Sequence, residues 1–467
     1  MNTQCLSEKR MRRFLLSALL LLPAAASALD TGTIPPQEIA VYVQDLNSKT
    51  VRVAHQADAS FNPASTMKLV TAFAAFNALG PDFRWQTEFK SAAPVSGGSL
   101  NGDIYWVGSG DPVMDQDDLI AAQQQLRDKG INRITGSLVF DRNIWGNAGT
   151  AHGFDDDAGE AFTTDPDPQM LAYKVVWLKP AFNEAGLPVI TTNPPLPDVA
   201  QNNQVRFTPF GTCRSLKRYL SAKYENGVLH MSGTLPEACI GQETFINMLD
   251  TQDFAAKSFV NQWRAAGGQM ASGYRVGTAP ADAATLAVHR SPPLREALTS
   301  MNKLSNNVIA RTVFLTMGER AADNQTGQNA QAAVRRELVK AGLDDEALIL
   351  ENGSGLSRRE RLTARFLGEL LAKSYESRFR QAFINTLPIA GTDGTLEHRF
   401  KSRKGELYLK TGTLKNVRAL AGYYLPHHAN SSPLAVVVLV NSPKSDYYVN
   451  EIDKIVERLL PPPQPAQ

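Results

Sequence analysis

The sequence lacks several signatures on which common enzyme and membrane-protein classes depend. Its seven histidines include no His-Glu-x-x-His pair, so the chain has no ligand set of the zinc peptidases. No Gly-x-Ser-x-Gly occurs, which argues against the nucleophile elbow of the α/β-hydrolases. Beyond the first 28 residues, no apolar stretch approaches the length of about 18 residues that a membrane span requires. We therefore expect no metal, no cofactor and no transmembrane anchor.

Net charge is also scarce. The 467 residues carry a formal charge of +2, and the four basic residues and one acidic residue among the first 28 leave the remainder at −1. A near-neutral chain gives no electrostatic reason to expect nucleic acid or an anionic membrane surface as partner. Apolar residues make up 43% of the chain and charged residues 20%, an ordinary globular balance with enough length for two or three cores.

The basic start runs into the short apolar stretch FLLSALLLLPAAASA, which ends in small residues at Ala26 and Ala28. This pattern predicts a secretory signal peptide over residues 1–28, cleaved after Ala28, although Met11 offers an alternative start. We expect the mature protein to be exported to the periplasm.

Cysteine is also scarce. Only three occur, and Cys5 falls within the predicted signal peptide. The remaining pair, Cys213 and Cys239, is typical of a disulfide in an exported protein, and two free buried thiols are the alternative.

Patterning along the mature chain predicts an α+β fold of several domains. Alternating residues on both sides of Asn47-Ser48-Lys49 predict a β-hairpin, and three strand-like runs close the chain: GELYLKTGTL, VRALAGYYL and PLAVVVLVN. Helical periodicity lies between these two ends, whereas residues 85–285 alternate strand-like pieces with turn-rich stretches. The economical arrangement is one antiparallel sheet built from both chain ends and flanked by helices, with the middle inserted as one or two β-rich domains.

The stretch NPASTMKLVTAF places Ser65 and Lys68 one turn apart at the predicted start of a helix. A serine becomes a nucleophile when a neighbouring base takes its proton, and the spacing brings both side chains to one helix face. The positive end of the helix dipole and burial would both favour a neutral lysine. An ordinary capped helix with a solvated lysine is the alternative.

A second Ser-x-x-Lys, SMNK at Ser300–Lys303, shows that the spacing alone decides little. The order of further motifs decides between the two: SNN at Ser305–Asn307 on a helical stretch, then KTGT at Lys410–Thr413 on a late strand. Because SMNK overlaps the second element, it cannot also be the first, so Ser65 is the candidate nucleophile.

Each element has a chemical task in this hypothesis. Ser305 would relay a proton, and Asn307 would hold a substrate amide. Lys410 would lower the pKa of Lys68 and attract a carboxylate. The hydroxyls of Thr411 and Thr413 would bind that carboxylate, Gly412 would let substrate approach the strand, and the backbone N–H groups of Ser65 and Thr413 would form an oxyanion hole. The alternatives are a cap or turn for SNN and an edge-strand end for KTGT.

The ordered motifs resemble those of the penicillin-binding serine acyltransferases. The flanking stretches VGSGDP, NGSGLSR, LPIAGTDGTLEHR and KTGTLKNVRALAGYY resemble, over nearly the whole mature chain, the class C low-molecular-mass penicillin-binding proteins. These are D-alanyl-D-alanine carboxypeptidase/endopeptidases of the penicillin-binding protein 4 type, in peptidase family S13. The resemblance implies that Ser65 attacks D-Ala-D-Ala termini or peptide cross-links of peptidoglycan stems, forms an acyl-enzyme, and is trapped by β-lactams.

The resemblance also implies a transpeptidase/β-lactamase-like domain interrupted by two smaller β-rich domains. The resulting boundaries are 29–84 and 286–460 for the catalytic domain, 85–165 and 252–285 for inserted domain II, 166–251 for inserted domain III, and 461–467 for a disordered tail. Asp393 and Gly394 fall on a matching segment and are interpreted as structural. Arg311 stands where the family often has an acidic residue, which bears on local substrate preference.

Two other functions compete with a peptidase. A serine β-lactamase shares the first and third motifs, but about 237 residues separate Lys68 from Ser305, too many for its compact chain. A non-catalytic cell-wall binding protein would show a broken motif, and all three are intact.

Overall fold

The computed structural model describes residues 29–462, with gaps at 147, 150, 152, 155–156, 158–159, 272, 319–324, 344–345 and 429–430. The predicted signal peptide and all but two residues of the predicted tail lie outside the described residues. Within them, the helices are α1 Met67–Ala78, α2 Gln116–Asp128, α3 Thr251–Ala265, α4 Leu294–Lys303, α5 Asn307–Met317, α6 Thr326–Lys340, α7 Ala364–Glu376, α8 Arg380–Asn385 and α9 Val449–Leu459.

The strands, in chain order, are β1 Ile39–Asp45, β2 Val51–His55, β3 Ser60–Phe61, β4 Gln86–Ser91, β5 Val95–Ser96, β6 Ser99–Leu100, β7 Ile104–Val107, β8 Arg133–Ile134, β9 Leu138–Asp141, β10 Val175–Phe182, β11 Pro188–Asn193, β12 Ala200–Thr208, β13 Ser221–Glu225, β14 Val228–Pro236, β15 Thr244–Asn247, β16 Tyr274–Val276, β17 Ala284–Arg290, β18 Leu362–Thr363, β19 Leu407–Leu414, β20 Val417–Tyr424 and β21 Leu434–Asn441. Together with the helices they form a mixed α+β fold, which confirms the predicted class.

Both chain ends build the main sheet, as the pattern predicted. Its order is β19-β20-β21-β1-β2, and every neighbouring pair is antiparallel. The central strand β21 is a run of apolar, mostly β-branched residues, and its two faces are covered by different helices. Ala435, Val437 and Leu439 join the core beneath the helices, while α9 lies against β21 and buries Ile452 and Val456.

Helix α1 runs through the core that lies against this sheet. Every residue from Met67 to Phe76 is buried, because its sequence is apolar on all sides apart from Lys68 and Thr71, which is the pattern of a helix surrounded by protein. The helix ends before Gly80. This glycine has a left-handed φ of +81° and is followed by Pro81, a combination typical of helix C-termini. The first residues of α1 are therefore held rigidly.

The short strands β3 and β18 pair with each other, and the middle of the chain forms the other four sheets. A five-stranded sheet has the order β16-β9-β7-β4-β17, and three-stranded sheets have the orders β11-β10-β15, β12-β14-β13 and β5-β6-β8. These strands share a second hydrophobic cluster with α2 and α3, two helices that the strand-like reading of this region missed. Thr31–Gln467 forms one compact unit, and the division into three domains stays a prediction.

Cys213 and Cys239 are joined in a disulfide within the part of the chain that carries β12–β15. In this structure the alternative of two free thiols is not realised. As for membranes, a search of the described residues finds no helix that is both long and apolar enough to span a bilayer.

Leu439→Ala tests the central strand. Leu439 is fully buried, so we expect the free energy of unfolding to fall by about 2–5 kcal/mol from lost burial and the cavity left behind. Thermal or denaturant unfolding followed by circular dichroism measures this loss.

Val51→Ala is the matched control, because Val51 lies on the edge strand β2 and is 44% exposed. Its effect should stay within about 0.5 kcal/mol. Equal losses in the two variants would contradict the assignment of β21 as the buried centre of the sheet.

Candidate active site

Ser65 lies in a single 3-10 turn, Ala64–Thr66, directly before α1. Thr66 fastens the turn, since its hydroxyl donates to the carbonyl oxygen of Pro63 at 2.7 Å. One turn further along, Lys68 is fully buried, and its Nζ lies 3.0 Å from Ser65 Oγ. The structure thus brings together the pair that the spacing predicted.

Two further acceptors surround the Lys68 amine. Its Nζ donates to Asn307 Oδ1 and to the carbonyl oxygen of Ser354, both at 2.6 Å. A neutral lysine amine has two N–H bonds and one lone pair. Because both N–H bonds are directed to these acceptors, the lone pair of neutral Lys68 points at Ser65 Oγ, where a base must act.

The SNN segment, predicted to lie on a helical stretch, spans the turn between α4 and the first residue of α5. Ser305 has a left-handed φ of +57°, and Asn306 caps α5 by accepting the N–H of Ile309 at 3.0 Å. Only Asn307 belongs to the helix. The cap interpretation therefore holds for Asn306, while its two neighbours face the buried lysines.

Lys410 connects the second motif to the third. It is fully buried on the edge strand β19, and its Nζ donates to Ser305 Oγ at 2.9 Å and to the Thr411 carbonyl oxygen at 2.7 Å. The contacts Ser65–Lys68–Asn307 and Ser305–Lys410 therefore lie side by side, since Ser305 and Asn307 are two residues apart.

The other residues of KTGT have different surroundings. Gly412 lies against the Ser65 turn, where a Cβ would come within 2.8 Å of the Pro63 carbonyl oxygen. Thr413 is exposed, whereas the hydroxyl of Thr411 is hydrogen-bonded to that of Thr395 at 2.9 Å. Thr395 was not predicted as a site residue, although it lies in the GTDGTL segment that contains Asp393 and Gly394.

The electrostatics of the two lysines favour a neutral base. Burial holds the pKa of Lys68 well below its usual value, and the charge of Lys410 lowers it further, while Glu360 acts in the opposite sense. Burial lowers the pKa of Lys410 to about 7. The lowered pKa of Lys68 favours the neutral amine, which can accept a proton from Ser65.

A segment to which the sequence motifs assign no role lies against Lys68 and the Ser65 turn. This floor segment, residues 351–357, supplies the Ser354 carbonyl, and its two glycines permit close approach. Gly355 has a φ of +81°, and a Cβ there would lie 1.9 Å from the Ala64 carbonyl oxygen. Its signal in the sequence was the pair of glycines in NGSGLSR, which mark close backbone approach but do not say to what.

Arg311 and Asp393 serve to fasten neighbouring segments. Arg311 is buried, and its guanidinium donates to Asp165 Oδ1 and the Gly149 carbonyl oxygen, both at 2.8 Å. It thus anchors part of the predicted inserted domain II to α5. Asp393 accepts the N–H of Ile389 at 2.9 Å and pairs with Lys303, as its structural interpretation requires.

Asn307 also touches the segment that Arg311 anchors. Its Nδ2 donates to the carbonyl oxygen of Phe162 at 3.1 Å. As for metals, no group of three or more His, Cys, Asp or Glu side chains in the described parts of the chain could hold an ion.

Comparisons with known proteins agree on one family. The family model described as the D-Ala-D-Ala carboxypeptidase 3 (S13) family matches residues 22–459. A D-alanyl-D-alanine carboxypeptidase of Actinomadura sp. (strain R39) is 28% identical over 389 residues, covering 77% of this chain and 70% of its own. The D-alanyl-D-alanine carboxypeptidase DacB of Haemophilus influenzae is 25% identical over 450 residues, covering 92% and 91%.

A solved structure shares the fold. Penicillin binding protein 4 of Haemophilus influenzae superposes with a TM-score of 0.69 at 23% identity, over 90% of this chain and 95% of its own. The same protein has been solved in complex with a novel β-lactam, and that structure superposes with a TM-score of 0.66.

Gly355→Ala tests the floor segment. The added Cβ cannot be placed without moving the Ala64–Ser65 peptide, so we expect acylation by a fluorescent penicillin to slow by about 100-fold or more. The control is Gly342→Ala, which has a similar φ of +72° and open space around it. That variant should lose roughly 1 kcal/mol of stability and keep its acylation rate. Equal rates in both variants would contradict the close approach of Gly355 to the Ser65 turn.

Substitutions of the adjacent residues Asn306 and Asn307 test separately the cap of α5 and the contact with Lys68. Asn306→Ala removes the α5 cap and should cost about 1 kcal/mol of unfolding free energy with little change in acylation. Asn307→Ala leaves a Lys68 N–H without its acceptor and should slow acylation about 10- to 100-fold. Parallel thermal melts and acylation rates test the pair, and a reversed pattern would refute the geometry described.

Proposed function

The chain belongs to the D-Ala-D-Ala carboxypeptidase 3 (S13) family, and we propose that it is a serine D,D-peptidase of peptidoglycan with Ser65 as nucleophile and Lys68 as base. The observation that carries the proposal is the buried Lys68, whose Nζ lies 3.0 Å from Ser65 Oγ and 2.6 Å from each of two further acceptors. The named carboxypeptidases among the relatives support the substrate class. D-Ala-D-Ala termini and D-amino-acid cross-links are its proposed targets.

Acylation begins when Ser65 Oγ attacks the carbonyl carbon of the penultimate D-Ala while its proton passes to Lys68 Nζ. The backbone N–H groups of Ser65 and Thr413 stabilise the oxyanion of the tetrahedral intermediate. Collapse of the intermediate breaks the peptide bond, and the leaving amine takes the proton that Lys68 received from Ser65, relayed by Ser305, so that Lys68 is neutral again. An ester on Ser65 remains.

Deacylation repeats these steps with water. Lys68 removes a proton from the water molecule, the hydroxyl oxygen attacks the ester, and Ser65 recovers its proton. Asn307 positions the amide of the acyl chain, and Lys410, Thr411 and Thr413 bind the carboxylate of the substrate. A β-lactam would acylate Ser65 by the same attack, and the β-lactam complex of the related penicillin binding protein 4 supports this proposal.

The sequence of the first 28 residues supports a proposal for the place of action. We propose that they are a signal peptide removed after Ala28 and that the mature protein works in the periplasm, where its substrate lies. The catalytic domain would comprise 29–84 and 286–460, with the inserted domains II and III between them. The separate sheets of residues 86–290 support inserted domains, while β17 continues past the proposed boundary at residue 285 and pairs with β4 up to Arg290.

Incubation of the mature protein with benzylpenicillin, followed by intact mass spectrometry and peptide mapping, tests the proposal. We expect a lasting adduct on the peptide that contains Ser65. Ser65→Ala should abolish both this adduct and the release of D-Ala from a D-Ala-D-Ala tripeptide, with the melting temperature unchanged, because the side chain loses only its nucleophilic oxygen.

Ser300→Ala is the matched control, because Ser300 belongs to the other Ser-x-x-Lys of the chain, whose Lys303 is paired with Asp393. It should behave as the wild type. Rapid turnover of the drug without an adduct would indicate a β-lactamase, and neither adduct nor turnover would indicate a cell-wall binding protein.

A further inference from the structure

A buried acid lies at the end of the floor segment. Glu360 is fully buried, and its Oε1 accepts the backbone N–H groups of Glu351 and Asn352 at 3.0 Å and of Gly353 at 3.3 Å. Its Oε2 is also buried and, among the described residues, has no hydrogen-bond partner. Burying a carboxyl oxygen without a hydrogen-bond partner costs free energy. The hydrogen bonds to the floor segment explain the burial of Oε1, but they do not explain the burial of Oε2.

The same short stretch of backbone connects Glu360 to the base. Glu360 holds the N–H of Gly353, and the carbonyl oxygen of the next residue, Ser354, accepts from Lys68 Nζ at 2.6 Å. On the other side, Thr71 of α1 donates to the Gly353 carbonyl oxygen at 2.6 Å. The backbone of the floor segment is therefore held by two different groups, the Glu360 carboxyl group and the Thr71 hydroxyl of α1.

Glu360 and the two lysines of the site are three fully buried ionisable groups. Lys68 and Lys410 are both fully buried, and two positive charges there would repel each other in a medium of low dielectric constant. Glu360 opposes the lowering of the Lys68 pKa by Lys410 and by burial. Burial raises the pKa of Glu360, and the nearby Glu351 raises it too, while the three backbone N–H groups act in the opposite sense. Glu351 itself is paired with Arg359.

We propose that Glu360 is a positioning residue for the reaction, which holds the Ser354 carbonyl against Lys68 and, as a buried counter-charge to Lys68, sets the pH range in which Lys68 serves as base. This inference rests on the proposed function, in which Lys68 takes the proton of Ser65. Without the acid, Lys68 loses its proton more readily. The enzyme then remains active in more acidic solution.

Glu360→Gln separates the charge from the hydrogen bonds. The amide oxygen can keep the three backbone N–H groups, so we expect a folded protein with a similar maximal acylation rate. Removal of the negative charge should move the acid limb of the acylation rate, measured with a fluorescent penicillin from pH 5 to pH 9, to lower pH by on the order of one unit. An unmoved limb, or one displaced to higher pH, would overturn the proposal.

Thr71→Val is the control for positioning without charge. It removes the hydroxyl that holds Gly353 and should slow acylation about 10-fold with the acid limb in its wild-type position. Glu351→Gln, on the same segment, removes a charge that raises the pKa of Glu360 and should not move the limb to lower pH. Displacement of the limb in either control by as much as in Glu360→Gln would show that the effect is not specific to Glu360, and would overturn the proposal.

Glu360→Met provides the same measurement with an uncharged side chain of similar length if Glu360→Gln fails to fold. Failure of both variants to fold would mean that the acid serves folding alone, and would overturn the proposal. The two hypotheses fail differently: a wild-type protein that no penicillin acylates at any pH refutes the proposed function, whereas normal acylation with an unmoved limb in Glu360→Gln refutes only the role of Glu360.

Discussion

Burial of the Lys68 side chain is the constraint around which the site is organised. A lysine amine withdrawn from water must find hydrogen-bond acceptors or lose its proton, and Lys68 does the first with Asn307 and Ser354 and is predisposed to the second by its surroundings. Those two acceptors come from segments that are far away in sequence. The position of one amine therefore determines how α1, α5 and the floor segment must meet.

The main sheet supplies the rigidity that this meeting requires. Asn441, at the end of the central strand β21, accepts the backbone N–H of Asn62 at 2.8 Å and donates to its carbonyl oxygen at 3.0 Å. Asn62 in turn donates to the Ser357 carbonyl oxygen at 2.9 Å. The backbone just before Ser65 is thus tied both to the sheet and to the floor segment, so the nucleophile is held before any substrate arrives, which is how preorganised sites save the cost of ordering.

Local spacing and motif order predicted much of this arrangement. The contact between Ser65 and Lys68 follows from helix geometry, and the ordered motifs pointed to Ser305, Asn307 and Lys410. What escaped prediction has no periodic signature: a backbone carbonyl at Ser354, a buried acid at Glu360 and the left-handed turn at Ser305. Helix α2 was missed for another reason, because its signal was a capping box formed by Asp115 and Asp118 inside a stretch dominated by strand-like pieces.

The order of strands in the main sheet also determines when the protein can become active. Strand β1 pairs along its whole length with β21, so residues 39–45 wait for residues 434–441 before they gain a neighbour on that side. Contacts of such high sequence separation form late and slow the folding of a domain. A growing chain carries Ser65 from early in its synthesis, but the surroundings that make this serine reactive assemble only when β21, the last strand of the described residues, has been made. The enzyme is consequently inert for as long as it remains unfolded.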